Sequence, residues 1–135
     1  MPKKAKLPYI TDRRIVVPFI VLQCQAYRSL SPKARALMTL LQMYWFNNKP
    51  TDMGVRQAAE YLNISIGTAG KAFAELEHAK FITVDSFSYR NISKGINLTK
   101  SYILNWMPYD YKPPSCKFLT EHEMSKVSFG KSKIK

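Results

Sequence analysis

The sequence predicts a mainly α-helical domain with a small β-hairpin, flanked by basic N- and C-terminal tails. Apolar residues recur at helical spacing in three segments between residues 31 and 79. Two short segments rich in β-branched and aromatic residues, 81–84 and 102–106, follow these helices. The chain has 135 residues, of which 46% are hydrophobic, and this size and composition suit one domain with a single core.

In the first part of the domain the sequence predicts one long helix. Residues 15–28 should form a strand or a short helix, and Pro18 prevents a helix from starting much before it. The long helix should begin at Ser31 and Pro32, because serine is a favoured N-cap and proline is favoured in the first turn. It should have about 15 residues and end near the turn at 47–50. Its apolar face comprises Ala34, Leu37, Met38, Leu41, Tyr44 and Trp45.

Two shorter helices follow, joined by about four residues. The first should begin after Gly54 and end at Asn63, a residue type that tolerates the left-handed conformation of a helix end. The second should be capped by Ser65 and run to about residue 78 or 79. The two apolar faces are formed by Val55, Ala58, Ala59 and Leu62 and by Ala69, Ala72, Phe73 and Leu76. This pattern indicates a helix-turn-helix.

The remaining elements predict a hairpin and a C-terminal extension. Residues 81–84 and 102–106 should be strands, and the polar residues 85–95 should form the loop between them. A hairpin after a helix-turn-helix is typical of a winged helix with a three-helix core. We therefore divide the chain into a basic arm (1–14), a winged-helix domain (15–106), a proline-rich extended segment packed on it (107–124) and a basic disordered tail (125–135). The side chains expected to attach the extended segment are Tyr109, Tyr111 and Phe118.

The charge of the chain favours a polyanionic partner. The net charge is +12, and residues 1–14 and 126–135 each carry a net +4. Such a field attracts nucleic acid first and an anionic membrane surface second, and basic arms commonly contact phosphates. The arms could also serve only to keep the chain soluble. No stretch is long and apolar enough to span a bilayer.

Several classes of function are disfavoured. Cys24 and Cys116 are far apart and form no metal or disulfide motif, and His78 and His122 lack partners at zinc-ligand spacing. The sequence contains no phosphate-binding loop or hydrolase motif. The apolar run 15–22 is short, is interrupted by Pro18 and precedes no cleavage site, so we expect a cytoplasmic protein. We expect no catalytic activity, cofactor, metal or small-molecule substrate.

Residues 58–77, AAEYLNISIGTAGKAFAELE, resemble the core of bacterial winged-helix regulators of the GntR and MarR type. The flanking segments 30–35 and 104–108 look like those of small winged-helix proteins carried by plasmids and integrated mobile elements, and the similarity covers roughly residues 17–118. The resemblance implies double-stranded DNA binding by a transcriptional regulator, with a recognition helix of about residues 66–79 in the major groove. Two features depart from the pattern: Lys80 stands where these proteins usually have glycine, and the recognition helix contains Gly67 and Gly70.

The candidate DNA contacts fall into three groups. Lys71 could reach a guanine edge or a phosphate, Ile66 could meet a thymine methyl, and Thr68 could contact DNA or act as a second cap residue. Arg56 and Arg35, near helix starts, could contact phosphates, and Arg90 and Lys94 lie in the predicted wing. The outward positions of the recognition helix that we expect at the interface are Ser65, Ile66, Gly67, Thr68, Gly70 and Lys71.

Three functions remain open at this stage. The leading one is a homodimeric regulator on an inverted repeat, with the first helix or residues 15–28 as the dimer surface. The second is a plasmid or phage replication or excision protein that uses the same fold architecturally. The third is a winged-helix module that binds proteins, which the small uncharged side chains around Gly67 would allow.

Overall fold

The computed structural model describes residues 8, 10–45, 50–92 and 95–130, with the backbone alone for 86–92 and 95–99. This part of the chain is mixed α/β, with six helices and a three-stranded antiparallel sheet. The longest helix has 13 residues, and none of the described helices is long and apolar enough to cross a bilayer. The elements in chain order are α1 (Phe19–Gln23), α2 (Gln25–Arg28), α3 (Pro32–Met43), β1 (Thr51–Met53), α4 (Val55–Leu62), α5 (Ile66–His78), β2 (Ile82–Ile92), β3 (Gly95–Leu104) and α6 (Glu121–Met124).

The entry into the domain consists of two short helices. Pro18 is the N-cap of α1, where its fixed φ suits a helix start and its missing N–H costs nothing. Cys24 ends α1 and caps α2, because its sulfur accepts a hydrogen bond from the N–H of Tyr27 at 3.4 Å. The Cys24 thiol is buried, and burial raises its pKa.

The central helices begin and end at local signals that the sequence contains. Ser31 caps α3 by accepting from the Ala34 N–H at 3.2 Å. Gly54 precedes α4, and Asn63 ends it with φ 58°. Ser65 caps α5. These predictions are confirmed, but α3 has 12 residues and ends at Met43, so Trp45 lies beyond it. The predicted turn at 47–50 falls mostly outside the described residues.

The sheet corrects the prediction of a mainly α-helical domain with a simple hairpin. A third strand, β1, pairs with β3, so the strand order is β1-β3-β2. The predicted loop at 85–95 is wrong, because β2 continues to Ile92 and β3 begins at Gly95. Phe87 and Tyr89 alternate with serines in this stretch, and this period of two is compatible with a strand despite the polar composition. A bulge lies between Val84 and Ser86.

The buried amide of Asn105 forms the corner where helix, sheet and C-terminal segment meet. Its Nδ2 donates to the carbonyl of Lys80 at 2.8 Å and to the hydroxyl of Thr83 at 3.1 Å. Its backbone N–H donates to the carbonyl of Phe81 at 2.9 Å, and its own carbonyl accepts from the N–H of Cys116 at 2.9 Å. These bonds turn the chain away from the sheet after Leu104. For this reason β3 ends at Leu104, and not at residue 106 as predicted.

The end of α5 requires an unusual backbone at Lys80. Lys80 has φ 69°, in the left-handed region that favours glycine. Its N–H donates to the carbonyl of Glu77 at 3.1 Å, and the N–H of Phe81 donates to the carbonyl of Leu76 at 2.9 Å. This pair of bonds is a Schellman motif, which satisfies the last carbonyls of the helix. Lys80 therefore holds a backbone conformation that glycine would adopt without a Cβ clash.

Aromatic packing attaches the C-terminal segment to the core. The Phe81 ring is fully buried and stacks on Phe118, with 4.4 Å between the ring centroids. Phe118 therefore packs as predicted, whereas Tyr111 is 78% exposed and does not pack into the core. The sequence did not predict α6, whose capping box joins Thr120 and Glu123.

A carboxylate of α6 links the C-terminal segment to the N-terminal helices. Glu123 accepts hydrogen bonds from the backbone N–H groups of Thr120 at 3.0 Å and Gln25 at 2.9 Å. These bonds favour the charged carboxylate and lower the pKa of Glu123. The segment predicted as extended is thus held at both Phe118 and Glu123.

We expect Asn105→Ala to lower the free energy of unfolding by about 2 kcal/mol or more, because it removes the buried amide that donates to the carbonyl of Lys80 and to the hydroxyl of Thr83. Urea unfolding of the full chain measures the change. Gln23→Ala is the matched control, since Gln23 is an exposed amide at the end of α1 and its loss should change stability little. Equal effects of the two variants would contradict the role of the corner.

We expect Lys80→Gly to raise the free energy of unfolding by about 1 kcal/mol, because glycine adopts the left-handed conformation without a Cβ clash. Thermal and urea unfolding measure the gain. Lys80→Ala keeps the Cβ and should leave stability within about 0.5 kcal/mol of the parent. A gain from alanine as large as that from glycine would show that the lysine charge, and not its backbone, is unfavourable.

Candidate nucleic-acid interface

The C-terminal half of α5 is anchored in the domain. Its inner face, formed by Ala69, Ala72, Phe73 and Leu76, is buried in the core. Glu75 adds a polar anchor: its carboxylate accepts from the backbone N–H of Ser31 at 2.6 Å and from the Ser31 hydroxyl at 2.8 Å. This carboxylate therefore sits at the positive end of α3, where a negative charge is favoured. The burial and this bond fix α5 against α3.

The opposite face of α5 is open. The described residues leave Ser65, Ile66, Gly67 and Lys71 exposed, and Thr68 and Gly70 are half-buried. The structure thus brings together the six residues that the sequence predicted at the start of this helix. We call this set the α5 surface: Ser65, Ile66, Gly67, Thr68, Gly70 and Lys71.

Two hydroxyl groups lie at the N-terminus of α5. Ser65 Oγ accepts from the Thr68 N–H at 3.0 Å and donates to Thr68 Oγ1 at 2.7 Å. Thr68 therefore takes part in the cap, as the alternative interpretation of this residue proposed. With the Ser65 proton used inside the chain, the Thr68 hydroxyl keeps its own proton and can donate it to an acceptor outside the chain.

The electrostatics of the α5 surface favour an anion. No acidic residue occurs from Ser65 to Ala74, and the first one, Glu75, is turned towards Ser31. The helix N-terminus contributes a partial positive charge, and Lys71 adds a full one. The first half of α5 therefore adds no carboxylate to this surface, whereas Glu77, two turns after Gly70, lines the groove beside it.

The start of α4 lies beside the middle of α5. The Val55 side chain is 4.0 Å from the position that a Cβ at Gly70 would take. Arg56, the next residue, is exposed. It therefore stands one residue from the point where α4 meets α5.

A groove of about 600 Å³ is lined by α5, the start of α4 and β3. Its floor includes Phe73 and Tyr102, whose rings stack with 5.1 Å between centroids. Burial, and then the charge of Glu77, raise the pKa of Tyr102 to about 12, so this phenol stays protonated. Lys100 of β3 also lines the groove, and sequence analysis missed it because only the fold of the sheet brings it towards α5.

Of the remaining predicted contacts, Arg35 is the one whose side chain the structure describes, and that side chain bonds within the domain. The guanidinium of Arg35 donates to the carbonyls of Tyr27 and Arg28 at 3.2 and 2.8 Å, and it lies over the Tyr27 ring. The structure thus gives Arg35 a role in holding the end of α2. The Arg90 backbone pairs with Asn97 in the hairpin, but its side chain lies outside the described part, as does all of Lys94.

Comparisons with protein-family profiles, with curated proteins and with solved structures gave no match for this chain. Within the described residues, no three His, Cys, Asp or Glu side chains come together as metal ligands would.

The chain itself does not require the two glycines of α5. A Cβ at Gly67 would meet nothing within 4 Å, and one at Gly70 would make an ordinary contact with Val55. Neither glycine has a positive φ. Glycine inside a helix costs about 1 kcal/mol relative to alanine, so these residues lower the stability of α5 without an internal packing reason.

We expect Gly70→Ala to raise the free energy of unfolding by about 1 kcal/mol, and Gly67→Ala by less because it lies in the first turn. Chemical unfolding checks both. Ala74→Gly, at an exposed position of the same helix, is the reverse control and should lower stability by about the same amount. A loss of stability in Gly70→Ala would mean that packing against Val55 does need the glycine.

Proposed function

We propose that this chain is a winged-helix protein that binds double-stranded DNA as a transcriptional regulator. The arrangement that supports this proposal is the pair α4 and α5, joined by three residues and followed by the hairpin of β2 and β3. On this interpretation α5 is the recognition helix, and the hairpin is the wing. The additional strand β1 extends the sheet beside β3 and leaves the α5 surface open.

The open, carboxylate-free face at the N-terminal half of α5 is the observation that carries the proposal. A recognition helix presents its first turns to base edges in the major groove, and these are the turns left uncovered here. Gly67 has no side chain on this face, so a DNA backbone or base edge can approach the helix backbone closely. Close contact with DNA would then account for the two glycines, which packing inside the protein does not require.

Each side chain of the α5 surface has a role consistent with its position. Lys71 reaches a guanine edge or a phosphate, and Ile66, which is 49% exposed, meets a thymine methyl. The Thr68 hydroxyl donates to a phosphate oxygen near the helix N-terminus. Arg56 extends this contact to the neighbouring phosphates from the start of α4.

The tails and the wing add affinity that does not depend on sequence. Eight of the twelve net positive charges lie in residues 1–14 and 126–135, and each phosphate that a lysine or arginine neutralises releases counterions. Arg90 and Lys94 would act in the same way along the wing. Such a protein would act where the chromosome is accessible, in the cytoplasm of a bacterial cell.

A protein-binding module is the second candidate, and the exposure of Ile66 favours it. An apolar side chain that is 49% exposed at the first position of a helix is suited to a hydrophobic partner as well as to a thymine methyl. The two functions differ in salt dependence, because only phosphate contacts give a steep loss of affinity with rising salt.

The proposal is tested by selecting ligands from random duplex DNA with the full chain and measuring affinity at several salt concentrations. We expect Lys71→Ala to weaken binding to the selected sequence by about tenfold, roughly 1.4 kcal/mol, and binding to random duplex by less. Titrations at fixed salt on the two duplexes give both values.

Lys33→Ala is the matched control, because Lys33 is an exposed helical lysine outside the α5 surface and its loss changes the net charge equally. It should weaken the two duplexes alike and only slightly. Equal losses on both duplexes from Lys71→Ala would make Lys71 a phosphate contact only. If no duplex binds with a salt-dependent affinity, DNA binding is rejected and the protein-binding module remains.

A further inference from the structure

The groove beside α5 carries opposite charges at its two ends. At the first end α4 begins: Met53 pairs with Lys100 in the sheet, and Val55 lies next to Gly70 of α5. The second end is formed by Glu77, which lies two turns after Gly70 and therefore about 10 Å further along the helix axis. A lysine thus lines one end of the groove, and a carboxylate lines the other.

The start of α4, at the first end, has no cap. Gly54 is the N-cap residue and supplies no side-chain hydrogen bond to the helix. The backbone N–H groups of residues 55–57 donate to no other residue of the described part. Together with the helix dipole, these groups give this end a partial positive charge that favours an oxyanion. A Cβ at Gly54 would meet nothing within 4 Å, so the space before the helix is open.

A buried hydroxyl group between the two ends is a second, independent sign of a ligand. Tyr102 lines the groove and is only 3% exposed. Its ring stacks on Phe73, but its hydroxyl forms no hydrogen bond with any other described residue. The phenol stays protonated, because its pKa is about 12. Since buried polar groups are normally hydrogen-bonded, this donor is suited to an acceptor that enters the groove from outside.

We propose that this groove binds a short peptide of about three residues with free termini. The C-terminal carboxylate of the peptide accepts from the uncapped N–H groups of α4, and its N-terminal ammonium group meets Glu77. The Tyr102 hydroxyl donates to a peptide carbonyl between them, and the rings of Phe73 and Tyr102 pack against the central side chain. His78 also lines the second end and accepts from the ammonium group when its imidazole is neutral.

The length and the volume of the groove match such a ligand. Three extended residues span about 10 Å, which is the separation of the two ends along α5. The groove volume of about 600 Å³ lies within the range of sites that enclose small molecules.

The opposite charges of the two ends favour a peptide over a phosphate of a DNA backbone. A duplex is negatively charged along its whole length, so Glu77 would repel it, whereas the ammonium group of a peptide is attracted. Tyr102 is also too deeply buried for a rigid duplex to reach its hydroxyl. The groove shares only Gly70 with the α5 surface, and the inference does not depend on DNA binding.

The test is an NMR titration of the full chain, without DNA and at pH 7.5, with the tripeptide Ala-Phe-Ala. We expect saturable shifts of the amide signals of Val55 and Phe73, which line the groove. The N-acetylated and the C-amidated tripeptides each lose one charged terminus, so each should bind about tenfold more weakly than the free peptide. Acetate, titrated in the same way, measures what a carboxylate alone contributes.

Two variants of the chain test the two ends of the argument. Gly54→Asp supplies the missing cap and places a carboxylate where that of the peptide would bind, so it should weaken binding about tenfold or more while stability is kept or raised. Tyr102→Phe removes only the hydroxyl and should weaken binding about fivefold without loss of stability.

The matched controls are Gly130→Asp and Tyr109→Phe, which make the same changes outside the groove and should leave the affinity for the peptide unchanged. Thermal unfolding of each variant confirms that it folds. The proposal is overturned if Ala-Phe-Ala does not bind to the parent chain, or if acetate or either capped peptide binds as tightly as the free peptide. It is also overturned if Gly54→Asp and Tyr102→Phe bind the peptide as the parent does. None of these titrations contains DNA, so duplex binding succeeds or fails independently of them.

Discussion

The corner at Asn105 is the constraint on which the rest of the structure depends. One buried amide joins the end of α5 to the start of β2, and the backbone of the same residue holds Phe81 and Cys116. Together with the bond between Glu75 and Ser31, it fixes the C-terminal half of α5. A helix is stiff over 13 residues, so anchoring one half also positions the other. The exposed half needs no partner of its own, and it can present an uncovered face without loss of position.

The helices could be predicted from the sequence because their limits are set by neighbouring residues. Ser31, Asn63 and Ser65 each end or begin a helix through contacts within four positions, and the sequence contains all of that information. The sheet was predicted less well, because its pairing is not local. β1 has only three residues and pairs with a strand about fifty positions away, so no periodicity could indicate it. The polar composition of the stretch in β2 and β3 predicts a loop, whereas its alternation of side chains is compatible with the strands that form there.

The candidate site also divides into residues that local sequence predicts and residues whose position depends on the fold. The α5 surface follows from helical spacing alone, since burying one face of α5 exposes the other. Arg35 had the same sequence features as Arg56, a basic residue near a helix start, but the fold brings two carbonyls and an aromatic ring to Arg35. Lys100 gave no signal because it reaches the groove through strand pairing. Residue type predicted a possible DNA contact. Only the tertiary structure could show whether the side chain already bonds to other groups of the chain.

The distribution of charge separates attraction from recognition in the proposed DNA binding. Most of the net positive charge lies in the tails, where it would attract phosphates without setting orientation. The α5 surface carries one lysine and several small or hydroxyl side chains, a combination that depends on close fit and not on net charge. In the proposed function, non-directional attraction by the tails and close fit at α5 would therefore act at separate places in the chain.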